Sequence, residues 1–258
     1  MSGPTGPLSW LVLPTYEEAA NIEPMVAAAR AALPSPRRIL IVDDSSPDGT
    51  GEIAEALALR HDDVEVLHRA GKEGLGPAYL AGFRRALDGG AELVLEMDAD
   101  FSHDPADLPR LVEAAARADL AIGSRYAPGG GIADWGPLRR AISRGGSAYA
   151  RAVLGVEVRD LTGGFKCFRR RVLESLDLGS IRSRGYGFQV EMTYRAIVAG
   201  FSVEEVPIVF RDRRAGDSKM SGAIVAEAIW QVPMLRLDHR REARSRVAAG
   251  PTSRAGAT

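Results

Sequence analysis

Five short, almost uninterrupted apolar stretches open the chain: 8–14 (LSWLVLP), 38–44 (RILIVDD), 64–69 (VEVLHR), 93–100 (LVLEMDAD) and 120–125 (LAIGSR). Segments of helical periodicity separate them, at 21–33, 50–60, 77–87 and 106–117. Strands that are apolar on both faces and alternate with helices predict a parallel sheet covered on both sides, an α/β fold with a Rossmann-like architecture. In such sheets ligands bind beyond the carboxyl ends of the strands. The polar residues gather at that edge: Pro14-Thr15-Tyr16-Glu17-Glu18 after the first strand, Asp43-Asp44 after the second, Asp98-Ala99-Asp100 after the fourth and Gly123-Ser124-Arg125 after the fifth. Random solvation has no reason to choose the same end each time.

The fourth of these ends poses a question of charge. Asp98 and Asp100 stand one residue apart at the end of a buried strand, where period-two alternation puts them on the same side. Two uncompensated carboxylates repel. A divalent cation removes that cost, and Mg2+ or Mn2+ prefers carboxylate oxygens and bridges to substrate phosphates. The competing role, capping the next helix, falls to Asp104, which precedes Pro105 at the first helical position. In DDSSPDGT (43–50), one carboxylate suits a nucleobase or ribose and the others suit turn and cap duty. The glycine-rich turn GKEGLGPAY (71–79) lacks the lysine–hydroxyl ending of a Walker A loop. The basic segment VFRDRRAGDSKMSG (209–222) taken alone reads as an exposed loop; facing a metal site at a cleft, it reads as a loop that closes over a pyrophosphate.

Composition narrows the classes. The 258 residues are 45% hydrophobic with a formal net charge of −1, which fits one large domain and gives no global field for nucleic acid. Arginines concentrate from Arg139 onward while the acidic clusters precede residue 120, an asymmetry that suits an anionic partner held between two halves. The single cysteine, Cys167, permits no internal disulfide. No stretch of about 20 apolar residues predicts a membrane span, and MSGPTGPLSW does not read as a signal peptide. The second half reads as a helix at 137–154 weakened by Gly145-Gly146, a strand running into a helix at KCFRRRVLESL, a helix at FQVEMTYRAIVAG closed by Gly200, and a strand at 202–210. Segment 223–239 reads as an amphipathic helix facing a membrane or partner, or packed on its own domain. The tail 240–258 reads as disordered. The expected division is therefore a catalytic domain over 1–222, that helix, and the tail.

Taken in order, LPTYEEAANI, IVDDSSPDGT, EGLGPAYLAGF, MDADFSHDP, GSRY, ISRGGS, DLTGGFK, GYGFQVEM and DSKMSG resemble the polyprenol-phosphate (dolichol-phosphate) mannosyltransferases, inverting glycosyltransferases of family 2 with the GT-A fold. The resemblance runs from about Leu8 to about Gly222. It implies GDP-mannose as donor, a polyprenyl phosphate at the membrane surface as acceptor, and a β-linked polyprenyl-phosphate mannose as product. It further implies that Pro14, Tyr16 and Glu18 line the nucleotide site and that Val42 and Asp44 contact the guanosine. Asp98, Ala99 and Asp100 would hold the metal, Mg2+ or Mn2+, and the diphosphate; Arg125, Arg213 and Lys219 would contact phosphates. Arg139 and Ser143 would meet the acceptor phosphate, and Gln189 and Glu191 would shape the sugar or acceptor pocket. Asp98, Asp100 and Arg125 form the expected catalytic set. Ser102 stands where some relatives carry glutamine, and its shorter side chain is not expected to reach a metal. Some relatives continue into transmembrane helices; here the expectation is a peripheral protein at the cytoplasmic face, reaching its lipid directly or through a membrane-anchoring partner.

The nucleophile in such a reaction is an anionic phosphate oxygen, so no strong general base is needed, and the four scattered histidines offer none. Alignment and charge neutralisation of the departing diphosphate carry the chemistry. Three rivals remain at this stage: a UDP-glucose-dependent sibling using the same lipid, a receiver-type signalling domain whose length and spacing fit poorly, and a nucleotide-sugar sensor that binds without turnover.

Overall fold

A computed structural model describes residues 6–181, 183, 185–212 and 232–237. The chain order is β1 (Ser9–Thr15), α1 (Ile22–Ala32), β2 (Arg37–Asp43), α2 (Thr50–Arg60), β3 (Val64–His68), α3 (Leu75–Asp88), β4 (Leu93–Glu96), a 3-10 turn (Pro105–Asp107), α4 (Leu108–Ala114), β5 (Leu120–Ser124), β6 (Gly131–Ile132), α5 (Pro137–Leu154), β7 (Lys166–Arg169), α6 (Arg170–Ser175), α7 (Gly185–Val198), β8 (Val203–Pro207) and β9 (Val209–Phe210). The main sheet has the order β3-β2-β1-β4-β7-β5-β8. All its pairings are parallel except those of β7, which lies antiparallel between β4 and β5.

Alternation along the strands builds two cores. On β1, Trp10 and Val12 face one side with Leu40 and Val42 of β2, under α3 and α7. Leu11 and Leu13 face the other with Ile39 and Ile41, under α1, α2 and α4. This doubly covered sheet is what continuous apolar strands require. The fit of α3 onto the sheet depends on Gly82, where a Cβ would stand 2.4 Å from Val12 Cγ1. Phe83, one residue on, reaches the interior and packs with Tyr79, Phe168 and Phe188.

Several local expectations are corrected. β4 stops at Glu96, so Asp98 and Asp100 occupy a turn beyond the strand rather than its last alternating positions. The 202–210 stretch divides: β8 pairs with β5, and β9 pairs with β6 in a separate two-stranded ribbon. Gly145-Gly146 do not interrupt α5, which runs unbroken for 18 residues. Asn21 makes no side-chain cap to α1 and instead donates to Glu18 Oε2 at 2.8 Å. Asp104 does cap, accepting from the Ala106 backbone N–H at 3.0 Å. Gly200 adopts a positive φ of 88° just past α7, in the manner of a C-terminal glycine.

Residues 232–237 are helical, with Val232 buried and Met234 and Leu237 exposed. The rest of the expected 223–239 helix, and the 240–258 tail, lie outside the described residues. No described helix is long and apolar enough to cross a membrane.

Candidate active site

The carboxyl ends of β1, β2, β4 and β5 lie along one edge of the sheet. Register places Pro14 beside Val42 and Thr15 beside Asp43. The two aspartates after β2 divide their labour. Asp43 organises the turn, accepting from the Thr15 hydroxyl at 3.2 Å, the Ser46 hydroxyl at 2.6 Å and the Ser46 N–H at 3.1 Å. Asp44 is held by Arg69, whose Nη1 lies 2.5 Å from Oδ1. Burial pushes Asp44's pKa upward against the pull of Arg69. Asp48 serves the start of α2, bonding Thr50 through both its N–H and hydroxyl. Tyr16 is half-buried at the end of β1, with the Lys72 ammonium 3.6 Å from its ring centroid. The Glu18 carboxylate, half-buried, takes the Asn21 amide.

The turn after β4 is tight. Phe101 sits at a positive φ of 59°, and Asp100 accepts from the Ser102 N–H at 3.0 Å. Asp100 and Ala99 are buried; Asp98 is half-buried and accepts a 3.1 Å hydrogen bond from the Tyr79 hydroxyl. Burial, and then the charge of Asp98, raises Tyr79's pKa well above its ordinary value, so this phenol remains a donor. The donor set fits a hard cation: two carboxylates on one turn, with no cluster of three or more His, Cys, Asp or Glu among the described residues. Mg2+ and Mn2+ are commonly held by one or two carboxylates together with water and substrate phosphates, so Asp98 and Asp100 would be the residues to hold such an ion.

Arg125 is buried against Asp160, which takes its N–H at 3.0 Å, Nε at 2.7 Å and Nη2 at 2.7 Å, while Nη2 also reaches Thr162 at 2.7 Å. Burial raises the Asp160 pKa, but Arg125 outweighs it and the carboxyl sits below its usual range. Arg125 thus enters the site as half of a buried pair. Beneath the acidic turn lies a second one: Lys166 donates to Glu96 Oε1 at 3.0 Å and to Gln189 Oε1. Burial lowers the Lys166 pKa and raises that of Glu96, their mutual attraction opposing both shifts.

An aromatic chain links the acidic turn to α5. His103 packs on Phe165 and Phe210, Phe210 on Trp135, and the Arg139 guanidinium lies 3.9 Å from the Trp135 ring centroid. Burial holds the His103 imidazole down to about 4, neutral at physiological pH. Arg139 pairs with Asp212 at 3.1 Å, and Ser143, one turn along α5, accepts from the Tyr126 hydroxyl at 2.6 Å. The Arg211 N–H donates to the Ser102 carbonyl at 3.0 Å, so the basic segment departs from the acidic turn itself. Arg213 and Lys219 lie outside the described residues. Glu191 is engaged by Arg195 at 2.8 Å and by the Ser183 N–H at 3.2 Å; Gln189 is buried and accepts from Lys166.

Sequence reasoning therefore reached the carboxylates but assigned no role to Tyr79, Asp160, Lys166, Glu96 or Arg69. The one local signal was Lys166, a charge flanked by Phe165 and by Cys167-Phe168.

Comparison with known proteins places the chain in a family. Residues 10–177 match the model of Glycosyl transferase family 2. The chain is 47% identical over 231 residues, 90% of its length and 95% of the relative's, to an undecaprenyl-phosphate mannosyltransferase of Micrococcus luteus. It is 50% identical over 224 residues, 86% of its length and 84% of the relative's, to a polyprenol monophosphomannose synthase of Mycolicibacterium smegmatis. Among solved structures, glucosyl-3-phosphoglycerate synthase of Mycobacterium tuberculosis with Mn2+, UDP and phosphoglyceric acid superposes with a TM-score of 0.67 at 19% identity, covering 90% of this chain and 79% of that one. A mannosyltransferase of Pyrobaculum calidifontis in complex with GDP-mannose and Mn2+ gives 0.59 at 18% identity, covering 96% and 77%. The fold is thus GT-A, and the chain belongs to glycosyltransferase family 2.

Proposed function

We propose that this enzyme transfers mannose from GDP-mannose to a polyprenyl phosphate, with inversion, to give β-linked polyprenyl-phosphate mannose. The observation that carries the reading is the near full-length likeness, at 47% and 50% identity, to relatives named for mannosyl transfer to undecaprenyl phosphate and for polyprenol monophosphomannose synthesis; the carboxylates Asp98 and Asp100 on the turn after β4 are compatible with it.

In this reading Pro14, Tyr16, Glu18, Val42 and Asp44 receive the nucleoside. Asp98 and Asp100, with Ala99 between them, hold Mg2+ or Mn2+ with the diphosphate; the Mn2+ complexes of the structural neighbours support that choice of ion. Bound there, the cation would neutralise charge on the departing GDP. Tyr79 holds the Asp98 carboxylate in place. Arg125, fixed by Asp160, shapes the phosphate side of the cleft, and Arg213 and Lys219 add positive charge to it. Arg139 and Ser143 receive the acceptor phosphate, whose own negative oxygen attacks the anomeric carbon, so no protein base is required. The neutral, buried His103 accords with that economy. Gln189 and Glu191 border the sugar. Reaction takes place at the cytoplasmic face, with segment 223–239 against the membrane or a partner.

Incubation with Mn2+, a polyprenyl phosphate in detergent, and labelled GDP-mannose or UDP-glucose in parallel tests the proposal. Mannose in the lipid phase as a β-anomer supports it. Label from UDP-glucose alone overturns the donor, and an α-linked product overturns the inverting course.

A further inference from the structure

The buried polar group under the cleft has a feature that the mannosyl-transfer reading leaves unused. Gln189 is 2% exposed, and its Nε2 completes no geometrically sound hydrogen bond among the described residues, although the amide lies close enough to Glu96 to help hold that carboxyl's pKa down. The orientation of a glutamine amide is ordinarily a matter of inference. Here it is decided by chemistry. A lysine ammonium has donors and no acceptor, so the end of Gln189 that meets Lys166 Nζ must be the carbonyl. The amide N–H groups are thereby turned the other way. Glu96, paired with the same ammonium at 3.0 Å, holds Lys166 in position.

The amide faces the vicinity of Gly164. A Cβ at Gly164 would stand 3.3 Å from Gln189 Nε2 and 3.7 Å from Asp98 Oδ2. The missing side chain keeps open the space between the amide and the carboxylate. The order of strands tells what that space receives. The nucleoside residues lie at the ends of β1 and β2, and the acidic turn follows β4. The next strand outward is β7, which carries Lys166, and α7 carries Gln189. A nucleotide sugar laid along this edge, base at β2 and diphosphate at β4, brings its hexose to the Gln189 side.

The geometry points to Lys166 as a positioning residue: with Glu96 as its counterion, it fixes the Gln189 amide so that an Nε2 hydrogen is donated to a hydroxyl oxygen of the donor's hexose. The inference rests on the reading of the cleft as a nucleotide-sugar site. It keeps Gln189 beside the sugar, as that reading already has it, and adds Lys166 and Glu96 as the residues that orient its amide, and it makes the interaction specific to the sugar half of the donor.

The test is a pair of calorimetric titrations in Mn2+, one with GDP and one with GDP-mannose, on folded protein. Gln189→Leu removes the donor. Glu96→Leu combined with Lys166→Met removes the buried pair without stranding either charge. Each is expected to weaken GDP-mannose about three- to tenfold, the range of one neutral hydrogen bond, while leaving GDP within about twofold. Adding Gln189→Leu to the pair variant is expected to cost nothing further, because both act through one bond. Lys166→Arg, which keeps a donor toward Oε1, retains the preference for the sugar nucleotide, and it serves in place of the pair variant with Lys166→Gln if that variant does not fold. A purely structural role would weaken GDP and GDP-mannose alike, and that result overturns the inference. So does a selective loss in Gln189→Leu that the pair variant, or Lys166→Gln, does not share. Failure of wild-type protein to bind GDP-mannose is seen before any variant is made and rejects the donor reading itself; UDP and UDP-glucose then take the same places in the titration, and absence of binding to either donor overturns both.

Discussion

Asp160 has no room for an approximate replacement. Its carboxylate takes three hydrogen bonds from Arg125, from the backbone at 3.0 Å and from Nε and Nη2 at 2.7 Å each. Both side chains are buried, at 0% and 6% exposure. Asp160→Ala removes all three of these bonds and the counterion of a guanidinium in the interior, while the bond to the Thr162 hydroxyl remains. Breaking a buried pair from one side costs about 3–5 kcal/mol. Against a total stability of roughly 5–15 kcal/mol that is a large share, and with an m-value of roughly 3 kcal/mol/M it moves the urea midpoint down by about 1 M or more. The double variant Arg125→Met/Asp160→Leu, which removes both charges, is expected to recover most of the loss. The pH dependence follows from the same pair. The Asp160 carboxyl lies below its usual range in the folded state, so its contribution is fully present above about pH 4 and drains away as pH falls through the lowered native value. Urea unfolding followed by circular dichroism at neutral and acid pH measures both. A loss under about 1 kcal/mol in Asp160→Ala, or a double variant no more stable than the single, refutes the argument.

Other consequences are as specific. Tyr79→Phe deletes the bond to Asp98 and is expected to lower kcat/KM by roughly five- to thirtyfold, about 1–2 kcal/mol of transition-state stabilisation, with the fold intact by circular dichroism. His103 is depressed to about 4, so the unfolded chain takes up a proton first; the stability of wild-type protein relative to His103→Asn should fall as pH drops from the ordinary histidine value toward 4, read from urea midpoints along that range. Phe83→Ala opens a hole among Tyr79, Phe168 and Phe188 and should cost about 3–5 kcal/mol by the same unfolding measurement.

How far the sequence could be read depended on the range of the interactions. The strands and helices of the first half were legible because apolar periodicity is local, and the edge carrying Asp44, Asp98 and Asp100 was legible because strand ends in a parallel sheet point one way. The position of β7 was not. Its four residues give no hint that they insert antiparallel between β4 and β5, since that pairing joins Glu96 to Lys166 across 70 residues. Tyr79 and Asp98, or Arg125 and Asp160, are likewise partners that only the fold brings together. The split of 202–210 had a local sign in Pro207, the last residue of β8; what escaped was the new partner, since β9 turns to β6, a strand of two residues. The glycines of α5 misled in the opposite direction: local propensity counts against Gly145-Gly146, yet tertiary packing of Ser147, Ala150 and Leu154 carries the helix through.

The central claim is that the Asp98–Asp100 turn supports transfer of mannose to a lipid phosphate. The direct measurement is label from GDP-mannose recovered in the organic phase, with polyprenyl phosphate and Mn2+, for wild-type protein and for Asp100→Ala shown to be folded. The account predicts transfer by the wild type and loss of at least two orders of magnitude, about 100-fold, in the variant. Transfer by Asp100→Ala at the wild-type rate would contradict it.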